Sequence, residues 1–366
     1  MSRVSSGAHL DLVRGVNDAG VLALLRGGNP MARHDIAEAL DVTPQAVTKI
    51  LARLGERGLV EEAGTVSAGP GKPAVLHRLV PRSRRAIGVH VTRTRVRAVI
   101  VDLTGTILAA CERDLEAGTS PDRLVDIVAE LATQLRSTGE GALVGIGVGM
   151  PGSVDHDAGV FRGSEASDPW SGLALRARLV ERLGLPALVE NDSTAAIVAE
   201  SWSSPHAVPD AALVLVEDGI GAGLRLGDVL HRGAHSDAGE VGHTVVVLDG
   251  EPCTCGRRGC AQAEHAAALA RGDVARAARI LASVVVDLVV LLDVDRIILA
   301  GRSIHRHHAA YLDAVRGAMA TELPRHDWLH VEVLVSTHGD DAIALGAAAE
   351  VLEDEFGVPA ALAGPA

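Results

Sequence analysis

Residues Asp218 to Cys260 read DGIGAGLRLGDVLHRGAHSDAGEVGHTVVVLDGEPCTCGRRGC, and the reading of the whole chain turns on this stretch. It opens with Gly219-Ile220-Gly221-Ala222-Gly223, where small residues let backbone N–H groups approach a ligand or let the chain turn tightly. It then passes through Gly239-Glu240-Val241-Gly242-His243 to Cys253, Cys255 and Cys260. One imidazole and three thiols separated by short loops suit a tetrahedral zinc site, structural in kind because the protein fills all four positions. The alternative is a disulfide, or buried cysteines without partners. Three cysteines within eight positions cannot pair evenly, and no secretory signal points to an oxidising compartment.

Taken together, Gly-Ile-Gly-Ala-Gly, a following Arg-Gly, Gly-Glu-Val-Gly-His and Cys-x-Cys-Gly-x-x-Gly-Cys resemble the signature of the ROK family (repressor, open reading frame, kinase). The resemblance extends through most of residues 86–350. It implies an α/β, actin-like and RNase H-like two-lobed sugar-kinase fold, shared by sugar kinases and sugar-responsive transcription factors. Which of the two this chain is must be read from individual residues.

The nucleotide side departs from the kinase pattern three times. Ala86 to Ile107 reads as two strands joined at Arg93-Thr94, and ROK kinases carry there a turn resembling Asp-x-Gly-Gly-Thr. This chain has His90-Val91-Thr92-Arg93-Thr94, without the acid and without the glycines that let backbone reach phosphate. In place of a Gly-Thr-Gly-Ile-Gly loop stands Glu217-Asp218-Gly219-Ile220-Gly221, which sets two carboxylates where phosphate would sit. The glycine-rich stretch expected after the strand at Arg296 to Leu299 is reduced to Ala300-Gly301-Arg302. These departures argue against phosphoryl transfer, so the expectation is no enzyme activity.

The sugar side is better kept. The loop Val148-Gly149-Met150-Pro151-Gly152-Ser153 and the strand end Glu190-Asn191-Asp192 resemble the family's sugar-binding elements. By that resemblance the ligand residues are Gly152, Asn191, Asp192, Glu240, His243 and Gln262, the last standing where a glutamate is usual. Asn191 and Asp192 precede a helical run, so an N-cap role is the competing reading, and both can hold at once. His243 would bind zinc, with Cys253, Cys255 and Cys260, through one ring nitrogen and offer the other to a sugar oxygen. Asp168-Pro169-Trp170 falls where a polar and an aromatic residue flank the sugar, although Trp170 also reads as a buried anchor.

The N-terminus carries a different signal. Residues 1–85 hold 12 Lys and Arg against 8 Asp and Glu, a balance of +4, which leaves −17 for the rest of a chain of net charge −13. A basic head on an acidic body is compatible with DNA binding. Leu10 to Leu25 has near-helical apolar spacing, and Arg33 to Leu40 makes a second helix. Thr43 as N-cap with Pro44 at the first helical position starts a third, running to about Arg57. Val47, Ile50, Leu51 and Leu54 face inward on it. Helix, turn and helix give a DNA-binding motif, with an ordinary three-helix bundle as the alternative. Thr65 to Leu79 then reads as a hairpin with Gly69-Pro70-Gly71-Lys72-Pro73 at its tip, resembling the winged heads of ROK repressors. Gln45, Thr48 and Lys49 would approach base edges while Arg53 and Lys72 met phosphates, each having a solvated surface role as its alternative.

The expected division is a winged helix-turn-helix domain over 1–80, a linker over 81–86, and a ROK sugar-kinase-like domain over 87–366 with its zinc site in the second lobe. No run approaches the roughly 18 apolar residues of a membrane span, and a cytoplasmic location is the default. The expected function is a sugar-responsive regulator, a repressor, that binds a double-stranded DNA operator as a homodimer or homotetramer, takes a sugar or sugar derivative, and holds structural zinc. The alternatives are an ATP-dependent hexose kinase of glucokinase type carrying an added DNA-binding head, and a sugar sensor whose head docks a protein.

Overall fold

A computed structural model describes residues 6–67, 73–163, 168–203, 208–323 and 330–356. The chain begins with α1 (Ser6–Arg26), which buries Val21, Leu22 and Leu25, followed by β1 (Met31–Ala32) and α2 (Arg33–Ala39). The turn after α2 places Asp41 at φ 50°, a left-handed conformation that Asp tolerates better than most side chains. The Thr43 hydroxyl then accepts the Ala46 N–H at 3.2 Å, and with Pro44 at the first helical position it starts α3 (Pro44–Glu56). Val47, Ile50, Leu51 and Leu54 form its buried face, as their spacing predicts. The strands β2 (Val60–Val66) and β3 (Ala74–Leu79) pair antiparallel, and β1 joins β3 to complete a three-stranded sheet in the order β1-β3-β2. This is a winged helix-turn-helix. The expected wing tip, including Lys72, lies outside the described residues.

The first lobe of the body contains β4 (Arg84–Val91), β5 (Arg95–Asp102), β6 (Ile107–Asp114), α4 (Pro121–Arg136), β7 (Ala142–Met150), the short hairpin β8 (Ser153–Asp155) and β9 (Val160–Gly163), α5 (Leu175–Leu183), β10 (Ala187–Asn191) and α6 (Asp192–Ser203). Its sheet runs β10-β7-β4-β5-β6, an antiparallel meander of three strands with β7 and β10 added parallel on the β4 side. The second lobe holds β11 (Ala211–Val216), β12 (Ile220–Leu226), β13 (Val229–Leu230), α7 (Ala261–Ala270), α8 (Val274–Leu292), β14 (Arg296–Ala300), α9 (Arg302–Arg306), α10 (His308–Glu322) and β15 (Glu332–Val335). Its sheet, β13-β12-β11-β14-β15, repeats the same order and directions. Two lobes of like topology facing each other make the actin-like, RNase H-like fold.

The final helix, α11 (Ala342–Glu355), returns to the first lobe and packs between its sheet and α6. Glycine decides how closely. A Cβ at Gly346 would lie 1.7 Å from the Ala195 carbonyl oxygen, and one at Gly88 would lie 1.8 Å from that of Ala344. Only a bare backbone permits these approaches.

The head rests on the far ends of the same two helices. The Arg26 guanidinium lies 3.3 Å over the ring of Trp202, near the end of α6, and burial lowers its pKa to about 10, still charged at neutral pH. Arg57 and Arg84 each approach Glu355 at 3.7 Å. Leu25, Leu54 and Leu79 of the head share one apolar cluster with Trp202, Leu352 and Phe356 of the body. Among the described residues no helix is long and apolar enough to cross a membrane.

Candidate functional site

The thiols and the imidazole converge. His243 ends a single helical turn over Val241–His243, Cys253 and Cys255 sit in a tight turn closed by the Cys253 N–H on the Arg257 carbonyl, and Cys260 begins α7. Their four donor atoms lie within 4.8 Å of one another, and the cysteines carry no disulfide. Zinc with arms of about 2.3 Å to sulfur and about 2.0 Å to nitrogen has tetrahedral edges of about 3.8 Å between sulfurs and about 3.5 Å between sulfur and nitrogen. The corresponding distances are 3.7 Å for Cys255 Sγ to Cys260 Sγ and 3.5 Å for Cys253 Sγ to His243 Nδ1, so the residues present fit the ion. His243 turns its other nitrogen, Nε2, toward Glu240 at 3.9 Å.

Between the lobes lies a cavity of about 540 Å³. Gly152, Asn191, Asp192, Glu240, His243 and Gln262, the six residues expected to meet a sugar, all line it. Their roles differ. Asn191 caps α6: its Oδ1 accepts the N–H of Ser193 at 2.9 Å and of Thr194 at 3.2 Å, while its Nδ2 donates to the Gly152 carbonyl at 3.0 Å. That leaves Asn191 little capacity for a ligand. Gln262 donates to Cys253 Sγ at 3.7 Å, which gives it a part in orienting the cysteine loop. Asp192 is more exposed in its consequences. Burial first, then the carboxylates of Glu240, Glu217 and Asp218, push its pKa up to about 8. Burial and the nearby Asp237 likewise raise Glu240.

The glycine run after Asp218 serves packing. A Cβ at Gly223 would lie 2.1 Å from the Ser193 carbonyl oxygen, so these glycines let β12 take the start of α6 directly against its backbone.

Glu217 and Asp218, expected to stand where a kinase holds phosphate, are paired within the protein. Arg302, at the start of α9, donates its backbone N–H to Glu217 Oε1 at 2.8 Å and its Nε to Glu217 Oε2 at 2.5 Å, and its Nη2 reaches Asp218 at 3.1 Å. A carboxylate of the protein thus sits on the first N–H of α9. From the opposite lobe the Arg93 backbone N–H donates to Asp218 Oδ2 at 3.0 Å, while its guanidinium forms a two-pronged pair with the buried Asp168. The same guanidinium lies 4.7 Å over Trp170. Trp170 is buried, donating its indole N–H to the Thr119 carbonyl at 2.8 Å, and is an anchor for this assembly. The reading of Trp170 as an aromatic flank for a sugar gives way to that.

Beside the sugar strand lies a buried knot of charge that periodicity and motif reading passed over. Arg232 bonds Glu190 at 2.7 Å and also Glu350, while His156 Nδ1 approaches Glu190 at 3.1 Å. Burial, followed by repulsion from Glu190, pushes Glu350 up to about 8. Glu190 in turn accepts the backbone N–H of Asn191 at 2.8 Å, so the knot fixes the strand end that presents Asp192. Two further cavity residues escaped the sequence: Asp237, which accepts a hydrogen bond from Ser153 across the cleft, and Thr254.

In the head, Gln45, Thr48 and Lys49 are exposed along one face of α3. Arg53 departs from its expected role toward phosphate. Its guanidinium is bound in two-pronged fashion by Asp18 of α1, because an acid buried at that depth requires a cation. Arg33 was missed; it donates to the Thr48 hydroxyl at 3.1 Å and lines a groove of about 370 Å³ with His34, Gln45 and Thr48.

Comparison with known proteins agrees with this geometry. The profile of the ROK family matches residues 86–270 and 261–354, and that of the MarR family matches residues 15–68. The chain is 26% identical over 252 residues to the xylose repressor of Bacillus subtilis (strain 168), a match covering 68% of this chain and 65% of that protein. It is 31% identical over 259 residues to the DNA-binding transcriptional dual regulator NagC of Escherichia coli (strain K12), covering 69% of this chain and 63% of that one. The match thus spans somewhat under two thirds of either relative. In fold it resembles the crystal structure of a ROK family transcriptional regulator described as a homologue of the E. coli MLC protein, with TM-score 0.76 and 20% identity over 94% of this chain and 98% of that one.

Proposed function

Since this chain belongs to the ROK family and carries a winged head, we propose that it is a sugar-responsive, DNA-binding transcriptional repressor whose kinase-like body recognises a ligand without transferring phosphate. One observation carries the second half of this reading: Glu217, bound to the first N–H of α9 and to the Arg302 side chain, occupies the anion position a nucleotide phosphate would need. A triphosphate would have to displace an internal ion pair and lie against Glu217 and Asp218.

The parts then divide as follows. Gln45, Thr48 and Lys49 read base edges, with Lys72 and Arg33 at the backbone, and two heads of a homodimer or homotetramer address a palindromic operator. Asp192, Glu240 and the Nε2 face of His243 receive sugar hydroxyls, Gly152 leaves room beside them, and Asn191 and Gln262 hold the walls. Zinc on His243, Cys253, Cys255 and Cys260 supplies a structural cross-link and fixes which His243 nitrogen faces the cleft. The protein would work in the cytoplasm, where its operator is.

The geometry suggests how ligand reaches the head. Asp192 begins α6 and Trp202 lies near its end against Arg26, so a ligand that shifts Asp192 shifts a helix on which the head rests. Induction requires that sugar bind the arrangement incompetent for DNA more tightly than the competent one.

The test is fluorescence anisotropy of the full chain on duplex DNA from its own upstream region, with and without a panel of sugars. Sequence-selective, salt-dependent binding that one sugar weakens is expected. Binding that ignores sequence, or that no sugar alters, would sink it. A second reading, a hexose kinase, is favoured by Asp192 lining the cavity. Turnover of magnesium-ATP with a hexose, lost in Asp192→Asn, would establish that reading instead.

A further inference from the structure

We propose that the cleft selects an amine-bearing sugar, a protonated hexosamine, over the matching neutral, N-acetylated or phosphorylated sugar. This rests on the reading of the cleft as a sugar site. The argument is the charge inventory of its walls. Asp192 at the base and Asp237 and Glu240 nearer the rim all line the cavity. Ser153 donates a hydroxyl to Asp237, and a backbone N–H serves Asp192. Among the described residues, the cation-forming side chain that comes within 4 Å of these three is His243, which is 3.9 Å from Glu240. That ring is neutral whenever it binds metal.

Of the other cations nearby, Arg257, whose charge is felt at His243, does not line the cavity. Arg302 is shared between two carboxylates, Glu217 and Asp218, and Arg93 is matched by Asp168. Zinc does not help either, because three thiolates and one neutral imidazole leave the ion's own site at a net charge of −1. With the metal bound, the cavity is therefore short of positive charge. Burial first, and then the carboxylates of Glu240, Glu217 and Asp218, push the Asp192 pKa up to about 8, so at neutral pH it holds a proton against the repulsion of the carboxylates around it. An ammonium group relieves that repulsion, and a phosphate adds to it. An N-acetyl group fills space without supplying charge.

Isothermal titration of the full-length, zinc-loaded protein at pH 7 would use matched sets built on glucose, galactose and mannose: the free hexose, the hexosamine, the N-acetylhexosamine and the hexose 6-phosphate. In at least one set the hexosamine should bind roughly tenfold or more tighter than its neutral partner, with that ratio shrinking as salt is raised. The 6-phosphate should be the weakest member. Asp237→Asn should narrow the ratio. If in every set that binds the neutral, N-acetylated or phosphorylated member equals or exceeds the amine, the charge argument fails while the sugar site stands. If no set binds at all, the sugar reading of the cleft fails and takes this inference with it.

Discussion

Replacing Asp192 with Asn isolates the cost of holding a carboxyl group in the empty cleft. Its pKa is 3.8 in an unstructured chain and is pushed up to about 8 in the folded protein, first by burial and then by Glu240, Glu217 and Asp218. Between those values the folded state holds a proton that the unfolded state has released. Stability contributed by this group is therefore fully present below pH 4 and is lost as pH rises toward 8. Asn has the neutral shape of the protonated acid and cannot ionise, and its Oδ1 can still accept the Ser193 N–H. The variant should match the native protein near pH 4 and exceed it increasingly above. One proton is worth about 1.4 kcal/mol per pH unit, so the advantage should grow by about 2–3 kcal/mol between pH 5 and pH 7. Guanidinium unfolding of both proteins at those two pH values measures it. Glu350, also raised to about 8, is common to both and cancels in the comparison. A difference in stability between the two proteins that stays constant from pH 5 to pH 7 would refute the reasoning.

Arg232→Met leaves Glu190 and Glu350 buried without their shared cation, and should cost about 3–5 kcal/mol in chemical denaturation while leaving the isolated zinc content unchanged. Gly346→Ala forces a methyl group to 1.7 Å from the Ala195 carbonyl oxygen, and should cost about 3 kcal/mol, at the upper end for overpacking, with thermal unfolding as the measurement. Cys255→Ser should lower bound zinc by metal analysis and make the loop from 244 to 260 the first region to exchange its amide hydrogens, since metal binding there is coupled to folding. Lys49→Ala should weaken operator binding and reduce the salt slope by about one, whereas Gln45→Ala should cost about 1–3 kcal/mol and relax preference at a single base position.

What the sequence disclosed and what it withheld divide along sequence separation. The grouping of His243 with three cysteines, the Thr43 cap and the buried face of α3 are all decided within a few residues, so spacing and residue type sufficed to find them. Gly152, Asn191, Asp192, Glu240, His243 and Gln262, six of the residues lining the cleft, were legible because each belongs to a short motif. Arg93 with Asp168 spans 75 positions, Ser153 with Asp237 spans 84, and Arg232 with Glu350 spans 118, and no local pattern announces such pairs. Arg53 teaches the same lesson. On α3 alone it looks like one more outward cation, and only the approach of Asp18, 35 positions earlier, turns it inward. Asn191 shows a subtler limit, because both readings of its side chain were available from the motif and the hydrogen bonds it makes decide how much of it is left for a ligand.

On the proposed reading, these long-range pairs would link ligand and DNA through a short path. Glycine seats let α11 touch α6 backbone to backbone, so the two helices can shift only together. At the cleft end that pair carries Asp192, and farther along α11 Glu350 is tied through Arg232 to the second lobe. At the far end it carries Trp202 and Glu355 under the cations of the head. A change in the angle between the lobes would strain Arg232, the bond between Ser153 and Asp237, and the meeting of the Arg93 backbone with Asp218, which cross the cleft, as well as the packing of β12 on α6. On the proposed reading, the leverage of a ligand on the head is set by how differently it binds the two lobe angles.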